Sequence, residues 1–100
     1  MTPPDKPTDP VLARAFERAR LRFEACRDKW KPADEEGQDA AEEAVGHART
    51  ALEHLDRGQW DEADAAATLA LELDEEFGSG EVWRDFALLI EEAAAIGRAG

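Results

Sequence analysis

The amino-acid sequence predicts an all-α fold of four antiparallel helices, and three observations support this prediction. Alanine, the strongest helix former, occupies twenty of the 100 positions. Tyr is absent and Val, Ile and Thr are scarce, so few residues favour strands. Apolar residues recur at spacings of three and four in four segments, which proline or glycine separates. A chain of this length has room for one domain with one modest core.

The first predicted helix covers about residues 10–31, at the start of a single helical domain at 10–97. A polar, Pro-rich tail at 1–9 precedes it, and we expect this tail to be flexible. Asp9 and Pro10 are typical of an N-cap and the first helical position, and Pro32 ends the helix. The predicted buried stripe consists of Leu12, Phe16, Ala19, Phe23, Cys26 and Trp30. Arg14, Arg18 and Arg22 form a separate row.

The second predicted helix covers about residues 38–56, after an acidic connector at 33–37. Its apolar positions are mostly small, which allows neighbouring helices to approach closely and places this helix at the centre of the fold. These positions are Ala41, Ala44, Val45, Ala48, Ala51, Leu52 and Leu55. Gly58 is predicted to end the helix in a left-handed C-terminal cap.

The third predicted helix covers about residues 60–76 and begins with acidic residues, which the helix dipole favours at this end. Its close-packing face consists of Ala63, Ala66, Ala67, Leu69, Ala70 and Leu73, with Phe77 at the end. The fourth helix covers about residues 80–96, with Ser79 as its cap and Gly97 as its end. Its apolar face is the richest in the chain and consists of Val82, Trp83, Phe86, Leu89, Ile90, Ala93 and Ile96.

A distinctive pattern surrounds one tryptophan at the start of the third helix. Gly58 and Trp60 are followed by Ala63 and Ala70, and then by Leu-Glu-Leu-Asp at 71–74. This pattern resembles the turn and second helix of a tetratricopeptide repeat, which opens with glycine, one residue and an aromatic side chain.

The next segment is similar to the first helix of such a repeat, because Trp83, Phe86, Ala87 and Ile90 match its aromatic, leucine-type, small and large positions. The resemblance covers about half the chain, roughly 48–90. Free-standing arrays normally need three repeats, so it implies a repeat-like helix array, a compact four-helix bundle or part of an oligomer.

The formal charge of −12 is unevenly distributed along the chain. Eight of the twelve Lys and Arg residues lie at 1–31, whereas the remaining residues carry nineteen of the 24 acids. Because the acidic body repels polyanions, we do not expect direct binding to nucleic acid. One alternative function is that of an acidic protein that mimics nucleic acid and inhibits a nucleic-acid-binding protein.

The reactive residues do not form a recognisable catalytic motif. Cys26 lies on the buried stripe, Ser79 lies in a turn, and the chain has no Gly-x-Ser-x-Gly sequence and no phosphate-binding glycine loop. We therefore predict neither an enzyme nor a bound cofactor. Glu43, His47 and His54 share one face of the second helix, and a second alternative is a metal site that a dimer completes with these side chains.

The preferred functional prediction is a protein–protein interaction module that binds another protein or a second copy of itself. The candidate interaction residues are Trp83, Phe86 and Ile90, together with Trp60 and Trp30, because buried aromatic side chains dominate interface energies. The alternative for these residues is ordinary core. The abundance of aromatic residues favours a homodimer. With no apolar run that could span a bilayer and no signal sequence, we predict a soluble, cytoplasmic protein.

Overall fold

The computed structural model describes residues 10–99, which form four α-helices and no strand. The helices are α1 at Pro10–Arg27, α2 at Glu35–Asp56, α3 at Trp60–Phe77 and α4 at Arg84–Ala99. This confirms the predicted all-α class and the number of helices. The predicted flexible tail at 1–9 lies outside the described residues. No helix within residues 10–99 is both long enough and apolar enough to cross a lipid bilayer.

The boundary between α1 and α2 lies earlier in the chain than predicted. α1 ends at Arg27 and not near residue 31, because the backbone N–H of Lys29 closes a turn on the carbonyl oxygen of Cys26 at 3.1 Å. α2 begins at Glu35 and not near residue 38, because the carboxylate of Asp34 accepts a hydrogen bond from the N–H of Gly37. This contact is an N-cap of the usual kind, which satisfies a free donor of the first turn.

The fourth helix lies later than predicted. Ser79 does not cap it, since the Ser79 hydroxyl accepts a hydrogen bond from the N–H of Glu81 within the preceding turn. The carbonyl oxygen of Trp83 instead accepts the first helical hydrogen bond, from the N–H of Ala87 at 2.9 Å. The helix then continues through Gly97, where an end was predicted, and stops at Ala99. Val82 and Trp83 therefore precede α4 and lie in the connection that leads into it.

The four helices form a closed bundle. α2 and α3 make the most extensive pair, α4 lies against α3, and α1 packs chiefly against α4 and less extensively against α2. α1 and α4 are antiparallel, because Phe23 meets Phe86 at one level and Arg18 meets Glu92 at another. α2 and α4 also touch across the bundle, whereas α1 and α3 do not. Of the predicted architectures, the observed one is the compact four-helix bundle.

Small side chains bring α2 and α3 close together. Eight alanines are buried in these two helices: Ala40, Ala44, Ala48, Ala51, Ala63, Ala66, Ala67 and Ala70. Without large side chains between them, the two backbones can approach closely, as the sequence predicted. Two apolar residues of α3 depart from the prediction, since Leu69 is 44 % exposed and Phe77 is 39 % exposed. Leu69 lies off the stripe of buried residues of α3, whereas Phe77 is the last residue of the helix.

The turn between α2 and α3 contains the predicted glycine cap. Gly58 has a φ of +74°, a backbone conformation that other residues adopt at a steric cost. Its N–H donates to the carbonyl oxygen of Leu55, and the next N–H, of Gln59, donates to the carbonyl oxygen of His54 at 2.9 Å. These bonds satisfy the last carbonyl groups of α2, so the chain can reverse direction within a short turn.

A buried carboxylate organises the connection between α3 and α4. Asp74 is fully buried, and its side chain accepts hydrogen bonds from the N–H of Gly80 at 3.2 Å and from the N–H of Trp83 at 2.8 Å. Its carbonyl oxygen also accepts from the N–H of Gly78. Because these donors are enclosed, the carboxylate supplies the partners that water cannot. Asp74 thereby holds Trp83 in place at the start of α4.

We expect opposite effects from alanine at two helical glycines. A Cβ atom at Gly97 would lie 2.5 Å from the ring of Trp60, whereas a Cβ atom at Gly46 would meet no atom within 4 Å. Gly97→Ala should therefore destabilise the fold by about 1–3 kcal/mol through overpacking. Gly46→Ala should stabilise it by about 0.5–1 kcal/mol through helix propensity. Urea unfolding followed by circular dichroism measures both changes. If the free energy of unfolding changed with the same sign in the two variants, this result would contradict the packing of Trp60 on α4.

Loss of the Asp74 carboxylate should be costly for the fold. Asp74→Ala leaves the enclosed N–H of Trp83 without an acceptor and leaves the N–H of Gly80 with only the backbone carbonyl oxygen of residue 74. We expect a loss of about 1–3 kcal/mol in the free energy of unfolding. Glu72→Ala, at an exposed acid of the same helix, is the matched control and should stay within about 0.5 kcal/mol of the parent protein. Equal losses in the two variants, measured by urea unfolding, would show that Asp74 has no special structural role.

Candidate interaction surface

Three of the predicted interaction residues lie inside the bundle. Trp83, Phe86 and Ile90 are all fully buried. Phe23 of α1 packs against the two aromatic rings, with its ring centroid 5.9 Å from that of Trp83 and 6.1 Å from that of Phe86. Trp83 and Phe86 meet edge to face at 5.4 Å, a favoured arrangement for aromatic rings. In this structure these side chains are core, and a partner could reach them only if α1 left its place.

The aromatic cluster contains one polar group without a partner. The ring nitrogen Nε1 of Trp83 is buried and has no hydrogen-bond acceptor among the described residues. An enclosed N–H of this kind costs about 1–3 kcal/mol. The Trp83 backbone N–H, by contrast, is held by Asp74. The position of the ring therefore follows from packing and from the backbone contact, and not from a side-chain hydrogen bond.

The other two predicted interaction residues are partly buried. Trp60 packs its ring on the backbone of Gly97, so it joins the start of α3 to the end of α4. Trp30 lies in the connection between α1 and α2, near Gly78, and lines a shallow groove together with Gln38 and Val45. Both rings contribute to the core boundary, and each keeps some exposed surface.

The proposed metal ligands are not brought together within one copy of the chain. His47 Nε2 lies 3.9 Å from Glu43 Oε1, as their spacing on α2 predicts. His54 lies further along α2, where its Nδ1 contacts the side-chain oxygen of Gln59. Among residues 10–99 no group of three or more His, Cys, Asp or Glu side chains is placed to hold a metal ion. The alternative of a metal site completed by a dimer stays a prediction.

The single cysteine is placed as a structural residue. Cys26 is buried, and its thiol donates to the carbonyl oxygen of Val82 at 2.9 Å, which ties α1 to the start of α4. Burial raises the pKa of the Cys26 thiol, and the opposing effects of Arg22 and Lys29 are smaller. Because the thiolate is the nucleophilic form, a raised pKa and an enclosed position both lower the reactivity of this side chain.

The most distinctive exposed feature is a groove between α1 and α4, on the side of the bundle away from α2 and α3. Its volume is about 610 Å³. Leu21 of α1 is 52 % exposed and Leu88 of α4 is 56 % exposed, and both line the groove. Its other lining residues are Arg18, Arg22, Ala25, Asp85, Leu89 and Glu92. We refer to these eight residues as the α1–α4 groove.

Charged side chains of both signs border the two exposed leucines. The arginines come from α1 and the carboxylates from α4. Arg18 and Glu92 form an exposed ion pair across the groove at 3.9 Å. The neighbouring charges of α1 have partners of their own, since Arg20 contacts Glu17 and Glu24 along the helix. The bond from Arg20 lowers the pKa of Glu17, which stays ionised at neutral pH.

Leu21 and Leu88 are not among the interaction residues predicted from the sequence. Both leucines lie off the apolar stripes that the three- and four-residue spacings define in their helices. A leucine that lies outside the buried stripe of an amphipathic helix is therefore the signal that could have located this groove.

Comparison with protein-family models, with curated proteins and with solved structures finds no match for this chain.

The reactivity of Cys26 reports whether α1 stays docked. With α1 in place, the buried thiol should react with a disulfide reagent at least about 100-fold more slowly than in denaturant, because reaction requires local opening. The rate in the native protein should also rise with pH, because the thiolate is the reacting form and its fraction increases with pH. Equal rates in native and denatured protein would contradict the docking of α1 on α4. Absorbance of the released thiol measures both rates.

Proposed function

We propose that this protein is a non-catalytic helical interaction module, similar in its central hairpin to a tetratricopeptide repeat, and that it binds protein through the α1–α4 groove. The observation that carries the proposal is the exposed pair Leu21 and Leu88 in a groove that charged side chains border. Contiguous exposed apolar side chains with a polar rim are typical of protein-binding sites.

The shape of the groove suits a protein surface better than a small molecule. It is open, shallow and bordered by the flexible side chains of Arg18, Arg22 and Glu92. Small-molecule sites enclose most of the ligand and place a few polar groups around an apolar cavity. A helix, in contrast, can lay an apolar face between two helices and meet the surrounding charges at its edges.

The reactive side chains support a non-catalytic function. Nucleophilic catalysis needs an accessible nucleophile next to a base. Cys26 is enclosed and bonded to Val82, while the Ser79 hydroxyl accepts the N–H of Glu81 within a turn. The two histidines lie at separate places on α2, with Glu43 and Gln59 as their respective neighbours. Each of these side chains has a local structural contact.

A photoreactive amino acid at position 88 tests the proposal in living cells or in lysate. On illumination, benzoylphenylalanine at position 88 should form covalent adducts with the partner protein, because the partner would cover the groove. The same amino acid at position 69 is the matched control, since Leu69 is also an exposed leucine but lies on α3, outside the groove. Leu21→Glu should abolish the adduct at position 88 by placing a charge among the apolar contacts. Adducts that are no more abundant at position 88 than at position 69 would refute the proposed function.

A further inference from the structure

We propose that the partner is a second copy of this chain, docked over the α1–α4 groove about a two-fold axis parallel to α1 and α4. The inference rests on the proposed function, since it names the protein that the groove binds. Two-fold dimers place the same surface of each copy in contact, so a suitable surface must complement itself. The apolar and charged residues of the α1–α4 groove meet this requirement.

The apolar centre of the groove can pair with itself. Leu21 lies on α1 and Leu88 on α4, and both line the groove from opposite sides. An axis that runs along the groove, between the two helices, places each copy's α1 over the α4 of the other. Leu21 then packs against the partner's Leu88, and the partner's Leu21 packs against Leu88. Both exposed leucines of the groove are covered in one step, which removes apolar surface from water.

The charges favour an axis parallel to the two helices over an axis that runs across them. Arg18 and Arg22 lie on α1, whereas Asp85 and Glu92 lie on α4, and the two helices are antiparallel. With the axis along the helices, Arg18 faces the partner's Glu92 and Arg22 faces the partner's Asp85. With the axis across the helices, α1 would lie on the partner's α1 and arginine would face arginine. Like charges in contact oppose association, so the first arrangement is favoured.

The size of the face sets the expected strength of the dimer. Two helices of about 25 Å at a spacing of about 10 Å present a face of roughly 500 Å². This area is below the roughly 800 Å² per partner of a standard stable interface. We therefore expect a reversible dimer with a dissociation constant on the order of 10–100 µM, in which rim charges add selectivity.

Sedimentation equilibrium tests the dimer over protein concentrations from about 1 µM to about 1 mM, which bracket the expected dissociation constant. The parent protein should pass from one copy to two over this range. Leu88→Lys should weaken the dimer at least about tenfold, because the new cation would face the partner's Arg18 and Arg22. Leu69→Lys, the matched control on α3, should leave the dissociation constant unchanged. Circular dichroism melts of each variant show that it remains folded.

A charge exchange tests the direction of the axis. Arg18→Glu and Glu92→Arg each create like-charged pairs across the proposed interface, and each should weaken its own homodimer at least about fivefold. When the two variants are mixed, they should form a heterodimer that is tighter than either homodimer. In this heterodimer the new glutamate at position 18 of one copy faces the new arginine at position 92 of the other. The second pair across the interface is the native one, between Arg18 and Glu92. An effect on the fold of one copy could not produce this rescue in the mixture.

Three results would overturn the second-copy inference: a single copy up to about 1 mM, equal weakening by Leu69→Lys and Leu88→Lys, or no preference for the heterodimer in the mixture. These failures are distinguishable from failure of the proposed function. If position 88 forms adducts with a different protein while this chain sediments as one copy, the interaction function stands and the second-copy inference falls. If position 88 forms no protein adduct beyond the control, the interaction function itself falls.

Discussion

The packing of Phe23 against Trp83 and Phe86 closes the bundle, and most other features of the structure depend on it. These three rings join α1 to the start of α4, with centroids between 5.4 and 6.1 Å apart. Cys26 adds a bond to Val82 one turn further along α1. Without α1, the side chains of Trp83 and Phe86 would face water on the side that α2 and α3 leave open. The position of α1 therefore decides which apolar surface is core and which is available to a partner.

A second constraint positions the aromatic cluster from the other side. Asp74 holds the backbone of Gly80 and Trp83, so the chain leaves α3 and enters α4 along one defined path. The aromatic rings and the carboxylate act on the same residue, Trp83, through its side chain and through its backbone. Because both contacts must form together, the connection between α3 and α4 and the docking of α1 are expected to be coupled in stability.

The distribution of charge follows the arrangement of the helices. α1 carries five arginines, whereas α2 and α3 each carry seven acidic residues and together have one arginine, Arg49. The guanidinium carbon of Arg49 lies 5.9 Å from the ring centroid of Phe23, so Arg49 contacts α1 through a cation–π interaction. The outer side of the bundle at α1 and α4 is thus mixed in charge, while the side at α2 and α3 is acidic. The proposed contact with a second copy uses the mixed side, where opposite charges would face each other.

By itself, the sequence determined the four helices, the alanine contact between α2 and α3 and the left-handed turn at Gly58. These features follow from local spacing, from side-chain size and from the conformational freedom of glycine. The tertiary structure decided that Trp83, Phe86 and Ile90 are enclosed, that Asp74 is a buried organiser and that Leu21 and Leu88 share a groove. Each of these depends on contacts between residues far apart in the chain, above all between α1 and α4. Periodicity identifies the apolar face of a helix, but it does not specify which other helix covers that face.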